Sequence, residues 1–597
     1  MRTDLPAVFA LSVASASAFS LPWKRQAGSD NPYVPTSTSC PSSASIRVAD
    51  SLNPDEESYA QERLSRASED LSSWLGRTLD GFSSDRLPKL ALALSGGGTK
   101  AGLTTAGAVY GLDGRESSDS PVAGLLQGMT YVSALSGGSL TLSGIMSNNF
   151  AQVSTLRDEL LEESYQNIFS APLTNADAIR ADVGNKTAAG YPASLIDIYG
   201  KVISYNFISA TGGNGLHWSN VTSQSSFQDH SAPYPIITIT QANVAAGMCS
   251  PNETSAIWEV APLEFGSWDS NVDAFYPTQY MGSVAGNSSQ CTTGFDNTGF
   301  ITAISSNILV DDTCSTGNES TDSLSSLAGT VNTAFSGVSL VNPYGIVPNP
   351  FYQSSEAGPI RDQQDLFGTD GGDSGQAIPV FPFLQPERNI DVIVLVDAAT
   401  QQPGNITNGT WLYNTYTSAQ EKNLTRMPQV PTPSEFVAAN LSSRAQFYGC
   451  NDNNTATLIY LPNTELGEAP TGFQQTAEQV NATFEGGVAM VTQSQQNSTE
   501  AQEWAACLAC AIVHKSVEAA DLPEVCTGCL ERYCWPRSNE TEGGGSGGDG
   551  IGNGTDSGSG SGSGSGSENS AAGMMSGANQ FAWLSVAITA GWAVMML

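Results

Sequence analysis

The stretch Leu90-Ala91-Leu92-Ala93-Leu94-Ser95-Gly96-Gly97-Gly98-Thr99-Lys100-Ala101 runs five apolar residues into three consecutive glycines. A strand that is apolar at every position has both faces buried, the mark of a central strand in a parallel sheet. The glycines permit a tight turn and let successive N–H groups point into one concavity. A helix-compatible stretch follows, from Ala101 to Leu112. The same layout returns at Met129 to Leu135 (strand), Ser136-Gly137-Gly138 (turn) and an apolar segment to Met146. Much later, Ile390-Asp391-Val392-Ile393-Val394-Leu395-Val396 reads as another buried strand. Repeated strand-turn-helix units predict an α/β fold, with helices on both faces of a mostly parallel central sheet. Upstream, Asn53 to Trp74 predicts a helix carrying Tyr59, Leu64, Leu71 and Trp74 on one face.

Three pieces of this scaffold can carry chemistry. Ala134-Leu135-Ser136-Gly137-Gly138 is similar to the G-x-S-x-G elbow, with Ala at the first small position. A serine there is reachable by substrate, and the N-terminus of the following helix favours developing negative charge. Gly97 and Gly98 are the candidate oxyanion donors. Their loop matches neither G-x-x-x-x-G-K-[ST] nor G-x-G-x-x-G, which argues against nucleotide binding. Asp370-Gly371-Gly372 places a carboxylate on a glycine turn, where it can act as base; a plain D-G turn is the alternative. The chain has only three histidines, His217, His230 and His514, none in a catalytic motif. A Ser-Asp dyad therefore fits better than a Ser-His-Asp triad.

The ends predict the compartment. Arg2, an apolar stretch from Leu5 to Val13 and Ala16-Ser17-Ala18 form a secretory signal over residues 1–18, followed by an N-terminal segment or short propeptide over 19–39. At the other end, small residues near Asn569, a spacer and the uncharged tail Phe581 to Leu597 form a glycosylphosphatidylinositol (GPI) anchor signal over 570–597. Residues 541–569, mostly Gly and Ser, read as a flexible tether. The catalytic body is 40–540. A secreted, GPI-anchored protein on the plasma membrane or cell wall is expected. Roughly 14 N-x-[ST] sequons agree, among them Asn185, Asn220, Asn252, Asn287, Asn318, Asn405, Asn408, Asn440, Asn481 and Asn497. The ten cysteines are an even number, and five cluster at Cys507, Cys510, Cys526, Cys529 and Cys534. In an oxidising compartment that spacing favours disulfides over zinc. The net charge of −35 argues against nucleic acid as a partner.

Taken together, Ser95 to Ala101, Leu135 to Ser139 and Asp370-Gly371-Gly372 resemble the fungal lysophospholipase (phospholipase B) family, related to the catalytic domain of cytosolic phospholipase A2. Trp258-Glu259, Pro262 to Asp269, Gly294 to Phe300, Gln385 to Asp391 and the Cys507 to Trp535 region are similar as well. The resemblance spans about residues 40 to 535. It implies a three-layer α/β/α core with cap insertions, of the patatin and cytosolic phospholipase A2 kind. It further implies an acyl-enzyme mechanism in which Ser136 attacks the ester of a phospholipid or lysophospholipid, Asp370 takes the proton, and Gly97 and Gly98 hold the oxyanion. No metal or cofactor is implied. Two departures stand out. Lys100 occupies the place of a family arginine thought to meet the substrate phosphate, and Ala377 that of an asparagine. Lysine keeps the charge without the bidentate fork. The alternative reading is a weakened or inactive family member serving as a cell-surface glycoprotein.

Overall fold

The computed structural model describes residues 31–536, apart from 81, 85, 117–118, 243–250, 252–253, 285–288, 311–339, 341, 400–406, 465–474 and 497. The expected signal peptide, tether and anchor signal, and the sequons at Asn252, Asn287, Asn318, Asn405 and Asn497, lie outside the described residues.

Helix α1 spans Pro54–Thr78; the Asn53 side chain accepts from the Asp55 N–H, and Pro54 fits a first turn that needs no donor there. Tyr59, Leu71 and Trp74 are buried as expected, whereas Leu64 is half-exposed. Its neighbour Arg63 is fully buried instead, donating to the carbonyls of Met129, His230 and Gln127. A guanidinium with several backbone acceptors tolerates burial that an unpaired charge does not.

Strand β1 is Leu90–Leu94 and leads into helix α2, Gly98–Leu112. Strand β2 is Met129–Ala134 and leads into helix α3, Gly137–Ser147. Next come helix α4 (Leu195–Ile203), strand β3 (Tyr234–Gln241), helix α5 (Thr298–Ser305), strand β4 (Asp365–Thr369) and strand β5 (Val392–Asp397). They are followed by helix α6 (Thr410–Glu421), strand β6 (Thr457–Pro462) and helix α7 (Ala477–Thr492).

The centre of the sheet is parallel, in the spatial order β6-β5-β1-β2-β3. Beyond β3 the strands Ile257–Val260, Glu264–Ser267 and Ala274–Pro277 continue antiparallel. Strand β4 also pairs antiparallel with β3, Thr369 opposite Thr240. Every residue of β1, β2, β3, β5 and β6 is buried, so the apolar runs of the sequence mark the parallel core.

Glycine lets α2 approach α7 at backbone contact. A Cβ on Gly107 would lie 2.0 Å from the Phe484 carbonyl oxygen, and one on Gly487 would lie 2.0 Å from that of Thr104. Among the described residues, four disulfides join Cys40–Cys291, Cys450–Cys534, Cys507–Cys529 and Cys510–Cys526. The C-terminal cysteine cluster is therefore cross-linked, in line with the disulfide reading.

Candidate active site

Strands β1 and β2 are parallel neighbours, so their C-terminal turns lie side by side at one edge of the sheet. Open parallel sheets place their sites at such edges. Ser136 sits at the turn after β2 with φ 51° and ψ −122°, conformations a non-glycine residue adopts only when its surroundings impose them. The surroundings are visible. The Ser136 N–H donates to Ser305 Oγ (3.1 Å), whose hydroxyl donates to the Thr238 carbonyl (2.8 Å) on β3. The Leu135 N–H donates to the Leu94 carbonyl and the Gly138 N–H to that of Ser95. A Cβ on Gly137 would fall 2.2 Å from the Gly98 oxygen, and one on Gly138 would fall 2.4 Å from the Leu94 oxygen. The small residues of the elbow are thus demanded by contact between the two turns. Ser305 was not singled out by sequence reasoning; a serine at the end of a buried helix carries no pattern.

The glycine loop borders Ser136 directly: a Cβ on Gly96 would lie 2.8 Å from Ser136 Cβ. Gly97 (φ 130°) and Gly98 (φ 73°) hold backbone shapes that favour glycine. A Cβ on Gly97 would meet Ala399 Cα at 2.9 Å, while one on Gly98 would meet nothing within 4 Å. Among the described residues, neither the Gly97 nor the Gly98 N–H has a backbone acceptor, whereas the Gly96 N–H donates to the Ala377 carbonyl (2.9 Å). Lys100 lies in the first turn of α2 and is mostly buried.

Asp370 follows β4 and caps a short 3-10 turn, Gly371–Ser374, its Oδ1 accepting from the Gly372 N–H at 2.8 Å. A Cβ on Gly371 would lie 2.8 Å from Leu135 Cδ2, so the glycine lets this turn press against the residue before Ser136. Burial pushes the Asp370 carboxyl up to about 6, while the nearby Ser136 hydroxyl and the Gly372 N–H pull it down. The Ser136 hydroxyl and the Asp370 carboxylate, far apart in sequence, are brought to the same place, close enough for the hydroxyl to bear on the carboxylate's protonation. Tyr199 of α4 is raised by its burial and, more weakly, by Asp370 nearby, while the neighbouring Ser306 opposes this. Strand β4, which delivers Asp370, was not anticipated, because Asp365–Thr369 is neither wholly apolar nor cleanly alternating. Ala377 joins the two loops through its carbonyl rather than its side chain.

The histidines are engaged elsewhere. His514 contacts the Ala511 and Cys450 carbonyls, His230 packs against Tyr59, and the His217 ring lies against Gly294.

Comparison with known proteins places this arrangement. Residues 90–540 match the family described as lysophospholipase catalytic domain. Lysophospholipase 2 of Aspergillus fumigatus is 31% identical over 554 residues, covering 84% of this chain and 93% of the relative. The lysophospholipase of Penicillium chrysogenum is 33% identical over 560 residues, covering 84% and 90%. Lysophospholipase 1 of Candida albicans is 33% identical, covering 85% and 89%. Among solved structures, human GIVD cytosolic phospholipase A2 superposes with a TM-score of 0.60 at 15% identity, covering 81% of this chain and 72% of that one, and so shares the fold. With its elbow, glycine loop and α/β/α core, the chain belongs to the lysophospholipase family and is a hydrolase of lipid esters.

Proposed function

We propose that the chain hydrolyses fatty-acyl esters of phospholipids and lysophospholipids through a Ser136–Asp370 dyad. The observation that carries this reading is the convergence of the Ser136 hydroxyl, held at a strained turn, with the buried Asp370 carboxylate, whose Gly371 turn packs against Leu135. Ser136 Oγ attacks the ester carbonyl carbon as its proton passes to Asp370. The carbonyl oxygen becomes an oxyanion facing the Gly97 and Gly98 N–H groups. Collapse breaks the ester bond to the glycerol oxygen, which takes the proton back from Asp370 and leaves an acyl-serine. Asp370 then takes a proton from water, and the resulting hydroxide attacks the acyl carbon. The fatty acid departs and Ser136 recovers its proton. Lys100 supplies a point charge for the substrate phosphate, without the fork of an arginine.

The same reading places the enzyme outside the cell, on a GPI anchor at the plasma membrane or wall and carrying N-glycans. Exposure of Asn185, Asn220, Asn440 and Asn481 supports the glycans, and the disulfides support an oxidising compartment. Fatty-acid release from lysophosphatidylcholine by wild type and Ser136→Ala tests the mechanism. Loss of release on substitution is expected; equal release from both proteins removes Ser136 from it. No release from wild type, with full release by Lys100→Arg, favours the weakened surface glycoprotein.

A further inference from the structure

We infer that Asp397 is a positioning residue for the reaction: together with Ser95 it holds the glycine loop so that the Gly97 and Gly98 amides face the reacting carbonyl. This rests on the dyad reading above, which uses Asp370 and leaves Asp397 without a role.

Asp397 ends β5, beside the end of β1 where the glycine loop begins. Its side chain is fully buried. The Tyr460 hydroxyl donates to Oδ2 at 2.6 Å and the Ala399 N–H to Oδ1 at 3.1 Å. Ser95 Oγ accepts the N–H of Ala398, the residue after Asp397, at 2.9 Å and donates to the Gly96 carbonyl at 3.1 Å. Asp397-Ala398-Ala399 is also the floor beneath the loop, because the bare Cα of Gly97 rests on Ala399 Cα, where a Cβ would approach to 2.9 Å. The corner that Asp397 fixes thereby supports Gly97 through Ala399 and holds the serine that opens the loop through the Ala398 N–H. An oxyanion site works only when its donors are aimed beforehand, and misplacement by a fraction of an ångström weakens it.

Burial raises the Asp397 carboxyl to about 6, opposed by Tyr460, Ala399 and Ser95. No cation is among those influences. A fold that needed only an inert corner would more simply place an amide or an apolar side chain there.

The test is steady-state hydrolysis of lysophosphatidylcholine by wild type, Ser136→Ala, Asp397→Asn and Ser95→Ala of the full chain, with thermal unfolding of each. A positioning role predicts kcat lowered roughly 10- to 100-fold in both Asp397→Asn and Ser95→Ala, with KM within about twofold, somewhat less than the loss of a whole oxyanion donor. If Asp397→Asn does not fold, Ser95→Ala decides. The inference is overturned when kcat of the folded variants stays within twofold of wild type, or when KM rises while kcat holds. Should Ser136→Ala remain active, the dyad reading fails. Should Ser136→Ala be dead while Asp397→Asn and Ser95→Ala match wild type, only the present inference fails.

Discussion

Two pairs among the buried carboxylates of the described residues are treated in opposite ways. Glu56 of α1 and Glu259 converge on Arg388, each at 2.7 Å. Burial alone would lower the Arg388 guanidinium, but Glu259 and Glu56 raise it well above its ordinary value. Asp370 and Asp397, at the C-terminal edge of the sheet, receive only hydroxyl and amide donors, and burial pushes both up to about 6. The first set ties helix to sheet as a closed ion cluster. The second leaves carboxylates able to accept a proton near neutrality, which is what a general base needs. Burial of a carboxylate is common to both; the Arg388 guanidinium answers one pair, and no cation bears on the other.

The comparison breaks most visibly at Asp370. Asp370→Asn should lower kcat by about 10³- to 10⁴-fold without loss of thermal stability, since it removes a base and a buried charge together. Arg388→Met should do the reverse. It strands two buried carboxylates, so the denaturation midpoint should fall by an amount worth about 3–5 kcal/mol, while the folded fraction keeps its kcat. Gly97→Ala should cost roughly 10²-fold in kcat, because its Cβ meets Ala399 Cα at 2.9 Å and the loop must shift.

A smaller effect appears with pH. Asp370 must be ionised to act, so kcat/KM should fall about tenfold per pH unit below about 6 and level off above it. Stability should run the other way. Both carboxyls are raised from 3.8 to about 6, so the folded state holds protons that the unfolded chain has released. Their contribution to stability is therefore present at low pH and is lost as pH rises from about 4 through 6. Unfolding followed across that window should show Asp370→Asn with a shallower slope than wild type. The smallest effect belongs to Lys100→Arg, which should lower KM for lysophosphatidylcholine about two- to tenfold and leave a phosphate-free ester unchanged.

Much of the scaffold was legible because its signals are local. Leu90–Leu94 is a strand at the bounds its apolar run suggests, and the second unit turns at Ser136. Helix α2 begins at Gly98, earlier than Ala101, since Gly97 serves as its N-cap and the glycine loop is itself the helix entrance. The antiparallel flank was not legible: Ile257–Val260, Glu264–Ser267 and Ala274–Pro277 are short, and their polar residues are buried by pairing rather than by composition. Of the site, Ser136, Gly97, Gly98 and Asp370 stood out through neighbouring glycines. Ser305 and Asp397 did not, and Ser95 was quoted with the glycine loop but given no role of its own, because their parts come from partners more than a hundred residues away or from an adjoining strand. Arg388 and Glu259 lie in stretches as family-like as those of the site, so motif likeness alone could not tell the ion cluster from the chemistry.

Labelling by a fluorophosphonate tests the central claim most directly, because that reagent reports an activated serine without requiring turnover. Wild type, Asp370→Asn and Arg388→Met would be treated side by side and the modified peptide located by mass spectrometry. The account predicts a single label on Ser136, slowed at least 10²-fold in Asp370→Asn and unchanged in folded Arg388→Met. A label on any other serine, or Asp370→Asn reacting as fast as wild type, would contradict it.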